Sequence, residues 1–286
     1  MYRNSITRVF STSIILVLLG CIAKLDAQSV NGKTDMCFNV NGVSFIMKYV
    51  EGGTFQMGVS TKEDKEADWN ERPHVVKLDD FYIGETEVTQ ALWLAVMGEN
   101  PSNRKGDGLP VESISWNDCQ TFILKLSLLT GNTFRLPTEA EWEFSARGGN
   151  RCKGYKYSGS NCIDSVAWYD KNSGNLVDSI KDWQISDILN NYKLHLVKTK
   201  QQNELGLYDM SGNVWEWCQD WFGSYLDDTV NPQGATEGVY KILRGGSYMS
   251  NSKGCRVTNR YEGNPEKKGK ICGLRLACGT TIHRKQ

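Results

Sequence analysis

Two stretches decide the fold: Arg244-Gly245-Gly246-Ser247-Tyr248-Met249-Ser250, with Cys255 five residues further on, and, ahead of it, Gly206-Leu207-Tyr208-Asp209-Met210-Ser211-Gly212-Asn213-Val214-Trp215-Glu216-Trp217. In the second, Asp209 and Glu216 stand seven residues apart around Ser211-Gly212-Asn213. Calcium takes about six to eight oxygens, and a tight glycine-containing loop can supply carbonyls between two such carboxylates. The same residues also suit a plain turn capped by Asp209. Trp215 and Trp217 alternate with Glu216, so in an extended stretch both indoles face away from the carboxylate, and one face belongs to the core. Cys255 has two readings: a reactive thiol if exposed beside Lys253 or Arg256, or a thiol that is buried or disulfide-bonded.

Working outward, the N-terminus carries Arg3 and Arg8 ahead of an apolar run from Ile14 to Leu19, the pattern of an export signal and too short to span a bilayer. Cleavage after Ala27 makes residues 1–27 a signal peptide. Cleavage before Cys21, in Leu18-Leu19-Gly20-Cys21, reads as a lipoprotein box and attaches the chain to a membrane through lipid at Cys21. Either way the expected location is outside the cytoplasm, periplasmic or at the cell surface. Removing residues 1–27 leaves 30 basic and 32 acidic residues, which gives no electrostatic footprint for nucleic acid.

The rest is long enough for one large domain. Nine cysteines in an exported chain suggest disulfides; Cys152 and Cys162 bracket a short loop they could close, with free buried thiols as the alternative. Phe45, Met47 and Tyr49 alternate as a half-buried strand would, before Gly52-Gly53 turns the chain. Thr89 to Met97 and Asn117 to Thr130 read as helices ending at Gly98 and Gly131. A third follows Arg135-Leu136-Pro137, with Thr138 and Glu141 at capping-box spacing and Gly148 closing it. Short strands and loops follow. With nine tryptophans and 28 glycines, the core is expected to be aromatics stacked under long loops.

Five ordered motifs carry a resemblance: Gly52 to Gly58, Glu85-Thr86-Glu87-Val88-Thr89, Pro110 to Trp116, Arg135 to Glu143, and Gly273-Leu274-Arg275-Leu276, together with the two opening stretches. Over roughly residues 43–278 the chain resembles the formylglycine-generating enzyme (sulfatase-modifying factor) family. That resemblance implies an α+β fold, an irregular mixed domain related to C-type lectin-like folds, with catalytic residues on loops. Family oxidases convert a sulfatase cysteine to formylglycine with copper held between two cysteines of the Gly-Gly-Ser segment. Here the first position is Ser250 and only Cys255 matches the second, while Ser247 matches the pocket serine. Copper(I) prefers thiolates, and a serine hydroxyl is a poor substitute, so copper is not expected. The resemblance also implies a structural calcium held by side-chain oxygens of Asp209 and Glu216 and carbonyls of Gly212 and Val214, with Asp209 where the family more often has Asn. It places Trp215 against the pocket and Trp217 in the interior.

Histidine metal sites are excluded by spacing, since His74, His195 and His283 stand nowhere four apart. Arg244, Arg256, Arg260 and Arg275 suit either recognition of a carboxylate or peptide, or pairing with Asp and Glu inside the fold. Three functions follow. The first is an exported non-oxidase module of the envelope that binds a protein or peptide partner. The second is a formylglycine-generating oxidase or other Cys255-dependent enzyme. The third, a calcium-stabilised carbohydrate binder, rests on the fold relationship alone.

Overall fold

The computed structural model describes residues 34–59, 62–174, 192–225 and 229–280, with the backbone of Leu25–Asp26. The expected export signal and Cys21 lie outside the described side chains. Three helices start where the sequence puts a hydroxyl ahead of an apolar run. Thr89 caps α1 (Gln90–Met97) by accepting the Leu92 amide, and Gly98 closes it with φ 82°. Ser115 and Asp118 form a reciprocal capping box on α2 (Trp116–Thr130), one residue earlier than the sequence suggested. Thr138 and Glu141 do the same on α3 (Glu139–Ala146). A single turn, α4 (Ile163–Val166), is a helix the sequence reading did not contain.

The main sheet has six strands in the order β1 (Leu25–Asp26), β2 (Met36–Val40), β3 (Val43–Val50), β6 (Phe81–Gly84), β12 (Ala277–Gly279) and β7 (Phe134–Arg135). All neighbours are antiparallel, and the β2–β3 register sets Phe38 opposite Phe45 with ring centroids 5.2 Å apart. Phe134 meets Phe38 edge-on at 5.2 Å. α1 and α2 cover this face, where Trp93 stacks on Phe122 at 4.8 Å. Behind the sheet, Val50, Phe81 and Ile83 pack with α3 and with the hairpin of β4 (Gly53–Met57) and β5 (His74–Leu78).

A second sheet has the order β10 (Tyr261–Gly263), β9 (Lys241–Arg244), β8 (Trp215–Trp221) and β11 (Cys272–Leu274), with β11 parallel to β8. Period-two alternation sends Glu216, Cys218 and Asp220 toward α3, and Trp215 and Trp217 to the opposite face. The segments Tyr208–Val214 and Gly245–Cys255 lead into β8 and out of β9, so the fold brings the two decisive stretches side by side. The Tyr248 amide donates to the Asn213 carbonyl at 2.7 Å and the Gly212 amide to the Gly245 carbonyl at 2.8 Å.

Candidate functional site

Glu216 spends its hydrogen bonds outside the Asp209–Val214 loop. Its carboxylate lies against Arg275, which donates from Nη2 at 2.6 Å and from Nε at 2.9 Å, and the Trp142 indole N–H donates to it at 2.7 Å. The carboxylate that does meet the loop is Glu87, just ahead of the Thr89 cap. It accepts the Asn213 side-chain N–H at 3.0 Å and the Val214 amide at 3.2 Å. Asp209 is buried, has a positive φ of 59°, and accepts the Lys198 amide at 2.8 Å. Burial, with the nearby Glu216 charge, pushes Asp209 up to about 6. Glu87 is raised well above the usual carboxylate range by burial and by the charges of Asp209 and Glu216. Three buried carboxylates thus share one guanidinium. Among the described residues no three His, Cys, Asp or Glu side chains converge into a metal-ready group. Of the expected set, Asp209, Gly212 and Val214 lie in the loop, and the side-chain carboxylate hydrogen-bonded to it is Glu87. The strand alternation turns Glu216 to the α3 face.

Ser247, Ser250 and Cys255 come together in sequence order but not as a thiol site. The Ser250 hydroxyl accepts the Ser247 amide at 3.0 Å and shares a hydrogen bond with the Ser247 hydroxyl at 3.1 Å. Cys255 ends a turn of 3-10 helix capped by Asn251 and is 0% exposed. Tyr157, Val166 and Tyr169 surround it, and Gly246 presses on its sulfur: a Cβ at Gly246 would stand 2.8 Å from Sγ. Burial pushes the thiol up to about 12, with the charge of Asp170 adding to the shift. Of the two sequence readings of Cys255 the buried thiol holds. The Asp170 amide donates to the Ser250 carbonyl at 3.0 Å, and its Oδ1 is buried without a hydrogen-bond partner. Neither Tyr157 nor Asp170 was singled out from the sequence; both come from stretches with no spacing that ties them to Cys255.

All four arginines pair inside the fold. Arg244 binds Glu143 at 2.5 Å, Arg256 binds Glu71 at 2.6 Å, Arg260 binds Glu139 at 2.7 Å and Arg275 binds Glu216, each pair buried. A planar fork between two carboxylate oxygens explains the choice of arginine. Trp217 is interior as expected. Trp215 packs in the same core and stacks on the exposed Tyr261 at 5.1 Å. His195 stacks on Trp168 at 3.6 Å, and burial holds its pKa below the ordinary value. The eight described cysteines are all free thiols, so no disulfide is present among them.

With this geometry in place, a family model for the sulfatase-modifying factor enzyme 1-like domain matches residues 44–279. The chain belongs to the sulfatase-modifying factor family. Among curated relatives of this sulfatase-modifying factor domain, a chaperone protein LppX of Paenibacillus barcinonensis is 34% identical, spanning 92% of this chain and 97% of its own length. The formylglycine-generating enzyme of Streptomyces coelicolor is 30% identical over 79% of this chain and 87% of its own length. Among solved structures, Treponema denticola variable protein 1 superposes with a TM-score of 0.74 at 32% identity, over 86% of this chain and 99% of that one. PvdO from Pseudomonas aeruginosa, at 23% identity and a TM-score of 0.65, shares the fold. The α+β expectation with its formylglycine-generating-enzyme-like architecture holds.

Proposed function

We propose that this sulfatase-modifying factor domain is an exported, non-oxidase module that binds a polypeptide partner in the cell envelope. The observation that carries the reading is the Ser250 hydroxyl, tied to Ser247, standing where the family resemblance puts one of two thiols, while the other, Cys255, is buried and held up to about 12. Those residues do not fit copper(I), which needs soft, ionised donors. The similarity to a relative named a chaperone, over nearly the whole of both chains, supports a protein as the partner. The N-terminal pattern supports export, with signal cleavage after Ala27 or lipid attachment at Cys21. The test has two arms. The full chain is incubated aerobically with copper(I) and a sulfatase-type cysteine peptide, and mass spectrometry is expected to find no aldehyde. The same protein is then added to an exported hydrolase diluted from denaturant, and it is expected to suppress light scattering near stoichiometric ratio. Aldehyde formation at the rate of a two-cysteine relative would favour the second reading, a Cys255-dependent oxidase.

We also propose calcium as a structural ion of the Asp209–Val214 loop, with Glu87 in place of Glu216. Asp209 and Glu87 would offer carboxylate oxygens, and Gly212 and Val214 backbone carbonyls. Burial raises both carboxylates, and the Asp209 charge adds to the rise of Glu87; a hard cation bound between them would favour their ionised forms.

A further inference from the structure

Of the eight described cysteines, five are buried and Cys37 is partly so; the two exposed ones are Cys152 and Cys162. The chain between them doubles back. Tyr157 and Ser160 exchange N–H···O bonds at 3.2 and 3.3 Å, and the Asn161 side chain accepts the Lys156 amide at 2.8 Å. This hairpin lies over Cys255. Tyr157 packs with Val166 and Tyr169 around the buried thiol, and Ile163, next to Cys162, packs against the same cluster. Backbone ties hold the cover down. The Lys156 carbonyl accepts the Val257 amide at 3.1 Å, and the Ser158 amide donates to Ser211 Oγ, which in turn donates to the Cys255 carbonyl. The segment that seals Cys255 therefore carries an exposed thiol at each end. Gly154, at φ 72° with nothing within 4 Å of its Cβ position, gives the Cys152 arm room to turn.

We propose that Cys152 and Cys162 form a disulfide that staples this hairpin shut, so that the redox state of a surface pair sets access to the buried Cys255. The oxidant is a small-molecule disulfide such as oxidised glutathione. The Cys162 thiolate attacks one of its sulfurs and expels one glutathione thiolate. The Cys152 thiolate then attacks the Cys162 sulfur of the mixed disulfide and expels the second glutathione. Two protein thiols become one disulfide, and two electrons and two protons leave on two reduced glutathiones. Hydrogen bonds from the Ser165 side chain and amide hold the Cys162 thiol below its ordinary pKa, which suits it to attack first. An exposed thiol pair is itself unusual for a chain carrying an export pattern. The staple does not depend on what the protein binds.

The experiment uses the full chain, reduced and then exposed to oxidised glutathione. Free thiols are counted with a heavy maleimide, and linkages are read from unreduced proteolytic peptides. The expected result is a Cys152–Cys162 cross-linked peptide, loss of the two fast-reacting thiols, and Cys255 labelling in moderate urea at least about tenfold slower than in reduced protein. Cys152→Ser and Cys162→Ser sit at exposed positions and are each expected to fold and to label Cys255 at the reduced-protein rate under the same oxidant. Separate glutathione adducts at Cys152 and Cys162, or equal Cys255 labelling in oxidised and reduced protein, would overturn the proposal.

Discussion

The hydroxyls of Ser247 and Ser250 stand 3.1 Å apart, and the Ser250 hydroxyl also accepts the Ser247 amide. A serine pair satisfied in this way has no donor soft enough for copper(I). Ser250→Cys restores one thiol, and because metal binding itself drives deprotonation of its ligands, copper(I) affinity is expected to rise at least about tenfold over the parent. Titration against a soft chelator reads this. Equal weak binding in both proteins would mean that the Cys255 thiol cannot turn toward position 250.

The loop acids separate by role. The parent is expected to melt higher with calcium than with chelator: a hundredfold excess over the dissociation constant adds about 2.7 kcal/mol, or about 5–10 °C for a chain of this size. Glu87→Gln should abolish that difference. Glu216→Gln should melt lower in both conditions yet keep it. The opposite pattern would return the ligand role to Glu216.

Arg275 and Glu216 are buried together. Arg275→Met leaves a buried carboxylate without its partner and is expected to cost about 3–5 kcal/mol in urea denaturation. Pairing it with Glu216→Leu should recover much of the loss. Lys48→Ala, which breaks the more exposed pair with Asp35, should cost less than about 1 kcal/mol.

Asp220 supplies a pH signature. Burial and the Glu139 charge raise it to about 7, so between roughly pH 4 and 7 the folded state holds a proton that the unfolded chain has released. Stability from this group is full below its unfolded pKa and is lost as pH rises through about 7. Asp220 Oδ2 accepts the Glu139 amide at the start of α3, a bond the Asn side-chain oxygen can keep. Asp220→Asn is expected to be more stable than the parent at pH 8, by on the order of 2 kcal/mol more than at about pH 4, with the advantage growing as pH rises between them. Chemical denaturation at the two pH values checks the sign; an equal difference at both would show that Asp220 ionises normally.

Local chemistry made the helices legible, because caps and C-terminal glycines act within a few residues: Gly98 and Gly131 close the first two and Thr138 with Glu141 opens the third, whereas the Thr89 and Ser115 caps emerge only in the structure. The alternation of Trp215, Glu216 and Trp217 was also readable. What it meant for Glu216 was not, since the α3 face holds Trp142 and Arg275, partners 74 and 59 residues away. Glu87 was hidden for the same reason: its contact with Val214 spans 127 residues. The four arginines offered two readings, and only the positions of Glu71, Glu139, Glu143 and Glu216 decide between them. The depth of Cys255 comes from a hairpin whose covering role no motif announces.

Gly246 occupies the left-handed region, with φ 79°, and any side chain there would collide with the Cys255 sulfur and the Gly254 carbonyl, both 2.8 Å from its Cβ position. That demand comes from volume and backbone shape alone, and it persists whether position 250 carries sulfur or oxygen. The steric demand on Gly246 is thus independent of the atom at position 250, and the Gly-Gly-Ser signature by itself reports the turn rather than the copper chemistry.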